Sequence, residues 1–589
     1  MVCEGLPLTF IESPRVRAIL RPEIGALSAT TLKSMIMDRY REKDKRIAER
    51  LRKMGSKVSV ALDCWTSHDN KAFMGITGHY VDDNWTSRSL VLACTPLAGR
   101  HTGENLCPAF VAKCEQFGLL HKLLCVTTDN ASNLTRFLAH FAGVCQSKGI
   151  TFNEKKQHVR CLAHVINLAV QILLRKLGTG ALDDDCSPDG DTVAQASDDD
   201  HSSDDNHSPD DDRSPGDDTV AQASDDACSS DGDTVAQASD DDHNRNGRIV
   251  ARGPTFSCIT KLRRLVVKVH SSPQRREAFR AECDWCHTGR KELIRDVRTR
   301  WNSTYAMIKR ACELRDPLSR LAKSDSAFSA PSDEEWELLE VVAQVLRVFE
   351  EASQPLCAVN YPTLNKAVPT YNCLFDELRG FLGMRNDDDG GRANAAVIDR
   401  CSPANRDVLR SAIGAALAKL RFYYKKTRCS MYAIAVILDP RFKLDYFKER
   451  GWKPDKIRKA VDALRHAVEE YETAPSQPDR DDDEARLGLV DRNAFRGLKR
   501  RRIQGKSNVE RYLGAPTVDC DEDILKWWSR HADIYPALAR VARDYLAVPA
   551  TSAPVERVFS GGAHLVTDRR GSLNEDTIEA LVCLASWLS

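Results

Sequence analysis

Two short stretches end on the acids best placed to do chemistry. In "VALDCWTS", residues 60–67, and "LLCVTTDNASN", residues 123–133, an apolar run with the pattern of a buried strand finishes on a lone carboxylate, Asp63 or Asp129. Side chains alternate along a strand, so Asp63 shares a face with Ser59 and Ala61, and Asp129 with Cys125 and Thr127. One acid at a strand end is ordinarily a turn cap or a solvated charge. Two at the ends of strands in one sheet are placed to hold a hard divalent cation, which takes oxygen ligands.

Other residues draw attention by type or spacing. Cys161 and His164 in "RCLAH" form a lone CxxH, which supplies two ligands where structural zinc needs four, so a buried thiol beside a hydrogen-bonded histidine is the plainer reading. "CDWCH", residues 283–287, has the spacing of covalent haem attachment, but it reads as helix and nothing marks the chain for an oxidising compartment, so the match is read as coincidence. Arg300 and Trp301 in "TRWNS" fit ordinary helix packing. The basic run "LKRRRIQGK", with Lys499, Arg500, Arg501 and Arg502, is compatible with phosphate contact or nuclear import.

Elements must bring such residues together. Period-two patterns predict strands over 57–65, 73–81 and 88–97, joined by short polar turns such as "DDNW" into an antiparallel meander. A helix is predicted over 103–120, a strand over 122–129, a helix over 130–143 opened by small polar capping residues, and a short strand running into an apolar helix over 158–177. Later signals are almost wholly helical. Residues 332–353 open on a capping box, Ser332 with Glu335, and set Trp336, Leu339, Val342, Leu346 and Phe349 on one face. Further helices fit 405–425, 455–472 and 523–547.

Composition bounds the whole. At 589 residues and 42% hydrophobic content, the chain is long enough for more than one core. It has no run of about 20 apolar residues to span a bilayer, and its first residues lack the layout of a secretory signal, so cytosol or nucleus is expected. The 20 cysteines are irregularly spaced and are expected to be free thiols. The formal charge of zero conceals an asymmetry. Residues 183–242 hold 22 Asp against one Arg, a net −21, so the remainder carries +21. That remainder favours a polyanionic partner. The acidic stretch repeats "TVAQASDD" at 192, 219 and 234, an irregular period with no buried face, and is expected to be disordered; it is either a loop without a role or an internal mimic of nucleic acid.

Nine strings, "LDCWTS", "HYVDDNW", "HTGENL", "TTDNASN", "RCLAHVINL", "DVRTRWNSTYAMIKR", "YAIAVILDPRFKLDYF", "VERYL" and "PATSAPVERVFS", occur in an order that resembles the hAT superfamily of DNA transposases, named for hobo, Activator and Tam3. The similarity runs from about Pro7 to Ser589, apart from the acidic stretch. The resemblance implies an α/β ribonuclease H-like core, a mixed sheet with helices, interrupted by a large all-α insertion. It implies a helical segment before the core over 1–55, the first part of the core over 56–180, the acidic loop over 181–250, the all-helical insertion over 251–515, and a dimerisation region over 516–589 that completes the core.

It also implies a catalytic triad of Asp63, Asp129 and Glu556, the last of which the sequence alone leaves as an ordinary helical glutamate beside Arg557. These carboxylates would hold two Mg²⁺ or Mn²⁺ ions for cleavage and strand transfer of transposon-end DNA. Trp301, with Arg300, is implied to stack on a flipped base, and Cys161 and His164 to lie near the active site. DNA, a second copy of the chain, a nuclear location and no membrane follow as expectations, the tail after Asp576 being apolar enough to offer a partner surface. The family's usual N-terminal BED zinc finger is not expected, because Cys3 is the only cysteine before Cys64. A truncated or domesticated, non-catalytic dimeric DNA-binding regulator is therefore the alternative.

Overall fold

Residues 58–96 alternate and are rich in β-branched and aromatic side chains, and they form three strands: β1 (Val58–Thr66), β2 (Ala72–Val81) and β3 (Ser87–Pro96). The computed structural model describes residues 11–13, 28–66, 71–97, 99, 102–178, 258–297, 300–358, 360–384, 389–427, 430–473, 507–565 and 573–588. The acidic stretch 181–250 and the basic run with Lys499, Arg500, Arg501 and Arg502 lie outside these residues.

Short connections make β1, β2 and β3 antiparallel neighbours. At the β2–β3 turn, Asp82 Oδ1 accepts the backbone N–H groups of Asn84 (3.0 Å) and Thr86 (2.9 Å), while Trp85 takes a φ of 57°. The chain then leaves the sheet through the helix Gly103–Gln116 and returns as β4 (Leu123–Thr128), parallel to β1. The helix Ser132–Ser147 carries it across to β5 (His158–Arg160), parallel to β4, and the order is β3-β2-β1-β4-β5. The crossover helices cover one face, where Val58, Val60 and Leu62 meet Phe110, Phe137 and Phe141. Phe110 meets the other two rings edge-on at 5.2 and 5.0 Å.

The opposite face is closed by the other end of the chain. Ala61, Phe73 and Cys94 pack on Val555 and Phe559 of the helix Ala553–Leu565 and on Ile578, Leu581 and Leu584 of the helix Glu575–Leu588. Gly75 permits this approach: a Cβ there would lie 2.5 Å from the Phe559 ring and 2.6 Å from Val555 Cγ1. Residues 549–552 then fix the helix that follows. Thr127 Oγ1 donates to Pro549 O (2.9 Å), Leu162 N to Ala550 O (3.0 Å) and Ala550 N to Thr363 Oγ1 (3.0 Å). The Ser552 N–H points at Cys161 Sγ (3.3 Å).

Between β5 and this segment every described element is helical, from Leu162–Lys176 to Pro536–Leu546. The capping box on Asp333–Ser353 forms as expected and its apolar stripe is buried. The helix expected over 523–547 is instead two, Ile524–His531 and Pro536–Leu546, because Pro536 lacks the N–H a continuous helix needs and sits at a helix start. Buried polar groups tie this layer: Asp439 binds Arg441 and Asn365, while Lys443 donates to the carbonyls of Tyr512, Ala515 and Pro516. After Asp576 part of the apolar tail packs within the chain. Leu584 is buried, and Trp587 stacks on Tyr40 at 5.4 Å and donates to Val91 O; Trp527, Trp528, Tyr535 and Leu538 are likewise core residues. The cysteines described by the structure are free thiols.

Gly75→Ala should cost about 1–3 kcal/mol of stability through overpacking against Phe559. In a double-mutant cycle by urea unfolding, Gly75→Ala with Phe559→Ala should cost clearly less than the sum of the single changes. Strict additivity would show that the helix Ala553–Leu565 does not press on Gly75.

Candidate metal centre

Asp63 stands near the end of β1 opposite Gly75, and extending the β1–β4 pairing of Ala61 with Thr127 by two residues brings Asp129 beside it. Neighbouring strands lie about 4.8 Å apart, so the two carboxyls emerge next to one another on the face covered by the C-terminal helices. Each uses one oxygen locally. Asp63 Oδ1 accepts Cys64 N (2.8 Å), and Asp129 Oδ1 accepts Ala131 N (2.9 Å) at the start of the helix Ser132–Ser147. The helix begins after Ala131, which gives no side-chain cap, so Asp129 supplies the polar contact at this turn.

Glu556 enters from the first turn of the helix Ala553–Leu565. Its exposed side chain is steadied by Ser552, whose hydroxyl lies 3.5 Å from Glu556 Oε1 and 3.3 Å from Cys161 Sγ. Trp65 stacks on Phe559 of the same helix at 5.7 Å, which explains an aromatic two places beyond the acid. Burial, then the Asp129 charge and, more weakly, that of Glu556 push the Asp63 carboxyl up to about 7. Among the described residues no Lys or Arg forms an ion pair with any of the three. They form a partly buried cluster of like charge with no ion-pair partner among the described residues.

Carboxylate oxygens are the donors a hard cation takes, but among the described residues no three His, Cys, Asp or Glu side chains are placed to hold a metal ion. Beside it, Arg160 Nη1 donates to Asn130 Oδ1 (3.1 Å), and the buried Asn130 Nδ2 has no partner among the described residues. Tyr432 OH accepts Arg160 N (3.0 Å). His158 bonds Thr128 Oγ1 at 2.9 Å and is held near 3, by burial and then Arg160, so it is neutral.

Cys161 is fully buried, with its thiol pushed up to about 12 by burial, and its sulfur also receives His164 N at 3.4 Å. It is a packing and positioning group for Ser552. Arg300 is exposed, but Trp301 is only 5% exposed and meets Phe349 edge-on at 6.4 Å, so a base reaches that ring only if it leaves the helical core. Sequence reasoning missed Arg160, Asn130 and Ser552. Their positions inside "HVRCLAH", "TTDNASN" and "PATSAPVERVFS" were the available signal.

Three family models match the chain: the ZBED1 RNase-like domain over 61–153, the ZBED1 RNase-like helical domain over 254–345, and the hAT family C-terminal dimerisation region over 508–588. Asp63 and Asp129 fall in the first and Glu556 in the last. A Talaromyces stipitatus protein described as the transcriptional regulator tpeD is 26% identical across 98% of this chain and 60% of its own length. A Zea mays protein described as an AC transposase is 26% identical across 97% of this chain and 61% of its own. The zinc finger BED domain-containing protein RICESLEEPER 2 of Oryza sativa is 22% identical across 100% and 73%. The chain thus spans about three fifths of the length of the first two relatives.

A carboxyl raised from the ordinary 3.8 to about 7 keeps its proton better folded than unfolded. Its stabilising contribution is full below about pH 4 and is lost as pH rises through 7. Asp63→Asn should therefore flatten the fall in stability across that interval, and at pH 8 in EDTA it should be the more stable protein by up to about 4 kcal/mol. Urea unfolding at several pH values measures this; an unchanged pH slope would contradict the clustering.

Proposed function

This chain belongs to the hAT superfamily of DNA transposases, and on that premise we propose that it binds DNA and cuts and rejoins transposon ends at the cluster of Asp63, Asp129 and Glu556. The observation that carries the reading is the Asp63 carboxyl, buried against two further acids with no cationic partner among the described residues. The β3-β2-β1-β4-β5 mixed sheet supports a ribonuclease H-like core, and the run of helices between β5 and Glu556 supports a helical insertion within it. The match at 508–588 supports self-association. Among the described residues no helix is long and apolar enough to cross a membrane. A nuclear location follows from this role.

Asp63, Asp129 and Glu556 would hold Mg²⁺ or Mn²⁺, which when bound supplies Lewis-acid activation of the attacking and leaving oxygens of a phosphodiester. The protein's own groups prepare that site. Asp63 sheds its proton as positive charge arrives, so occupancy strengthens with pH through about 7. Ser552, anchored on Cys161, steadies Glu556. Asn130 Nδ2, buried beside Asp129, is a donor with no acceptor among the described residues, and a phosphate oxygen would satisfy it only where the turn opens to admit one. Arg160 orients that amide by holding its oxygen.

A second reading has its own support. The open spacing of the acids and the likeness to a protein described as a transcriptional regulator fit a DNA-binding regulator that does not cut. Nicking of supercoiled plasmid under Mn²⁺ or Mg²⁺ separates the two. The transposase reading expects nicking that Asp129→Asn reduces by more than the roughly 100-fold that losing a group supporting a metal ligand costs. Salt-sensitive DNA binding without nicking under either ion would establish the regulator.

A further inference from the structure

The end of the helix Pro403–Lys426 reads "KLRFYYKK", residues 419–426, four cations interleaved with three aromatic rings. No acid occurs between Asp407 and Asp439. Cations near a helix C-terminus are stabilising by themselves, which accounts for Lys425 and Lys426. It does not account for Phe422, a large apolar ring left 49% exposed. Nor does it account for Arg379, which the neighbouring helix Leu364–Phe381 brings close enough to Arg421 to join burial in depressing that guanidinium. Like charges have been gathered at the helix end that carries an exposed ring.

The ring is held among ammonium groups. Lys426 Nζ lies 4.2 Å and Lys419 Nζ 5.7 Å from its centroid, and Lys419 is also 5.4 Å from that of Tyr423. Phe422 meets Tyr423 edge-on at 5.2 Å. Tyr423 is buried, and it is near enough to Arg160 and Asp129 for both charges to act on its hydroxyl. The exposed ring is therefore one side chain removed from the groups that border the acid cluster.

We propose that Phe422, Lys419, Arg421, Lys426 and Arg379 form a platform for an unpaired DNA strand running to the acid cluster, with Phe422 stacking a base and the cations taking the flanking phosphates. The inference rests on the DNA-binding part of the function proposed above, and it adds the strand form recognised and the residues that recognise it. An exposed ring with cations on both sides suits a strand whose bases are unstacked, since every base offers a π-face. A paired duplex keeps its bases stacked on one another. An acidic polypeptide would use the cations and leave the ring idle.

The test is fluorescence anisotropy with the full chain in EDTA, using a short labelled oligothymidylate and a blunt duplex. Phe422→Ala should weaken binding of the single strand about 5- to 100-fold, the range found when a stacking ring is removed, with little effect on the duplex. Phe422→Trp should restore it. Lys426→Ala and Arg421→Ala should each lower the slope of log affinity against log salt by about 0.7. Thermal melting checks that the half-exposed Phe422 is dispensable for folding. Unchanged single-strand affinity in Phe422→Ala, or an equal loss on the duplex, overturns the proposal. So does polyglutamate displacing the oligonucleotide equally well from wild type and Phe422→Ala, which would mark an acidic-polypeptide site. Because no cutting is involved, a protein that binds in this way yet never nicks plasmid refutes the transposase chemistry and leaves the platform standing.

Discussion

The contact that everything else depends on is the seating of residues 549–559 on the open face of the sheet. Gly75 removes the side chain that would hold the helix Ala553–Leu565 away, and Val555 and Phe559 fill the space. The preceding residues are pinned at both sides, to β4 and the start of Leu162–Lys176 on one and to Thr363 in the helical layer on the other. A segment 391 residues beyond Cys161 is thereby placed against it, with Glu556 one turn further on. Closing so long a loop is entropically costly, though the cost rises only slowly with length. The buried hydrophobic surface and the hydrogen bonds of the segment offset it.

That seating gathers negative charge. Asp63 and Asp129 are adjacent through sheet pairing alone, and the third carboxyl adds to a field that already raises Asp63. A fold selected only for stability gains nothing from three partly buried acids that have no ion-pair partner among the described residues. The cost becomes intelligible if the counter-charge arrives from solution. The basic excess outside the acidic stretch, to which Lys419 and Lys426 beside Phe422 contribute, then complements the same chemistry from the side of a polyanionic partner.

What sequence made legible was local and periodic. The strands of the meander and the capped helix at 333–353 follow from alternation, from turn residues and from one capping box, each readable within a few residues. Asp63 and Asp129 stood out because an acid ends an apolar strand. Glu556 had no such mark, since an exposed helical glutamate beside an arginine is the commonest kind of surface pair, and only the family resemblance singled it out. Whether an aromatic ring faces solvent or a core is decided by elements far away in sequence, so nothing in the letters marked Trp301 as only 5% exposed. The single helix expected over 523–547 overlooked the plain chemistry of Pro536.

The central claim is that Glu556 joins the two sheet aspartates in one cation-binding cluster. Calorimetric titration of the metal-free protein with Mn²⁺ at a pH above 7, for wild type and Glu556→Gln, tests it most directly. The account predicts that wild type binds Mn²⁺ and that Glu556→Gln binds at least about 10-fold more weakly with its fold intact, as loss of a ligand demands. Equal Mn²⁺ affinity in the two proteins would contradict it.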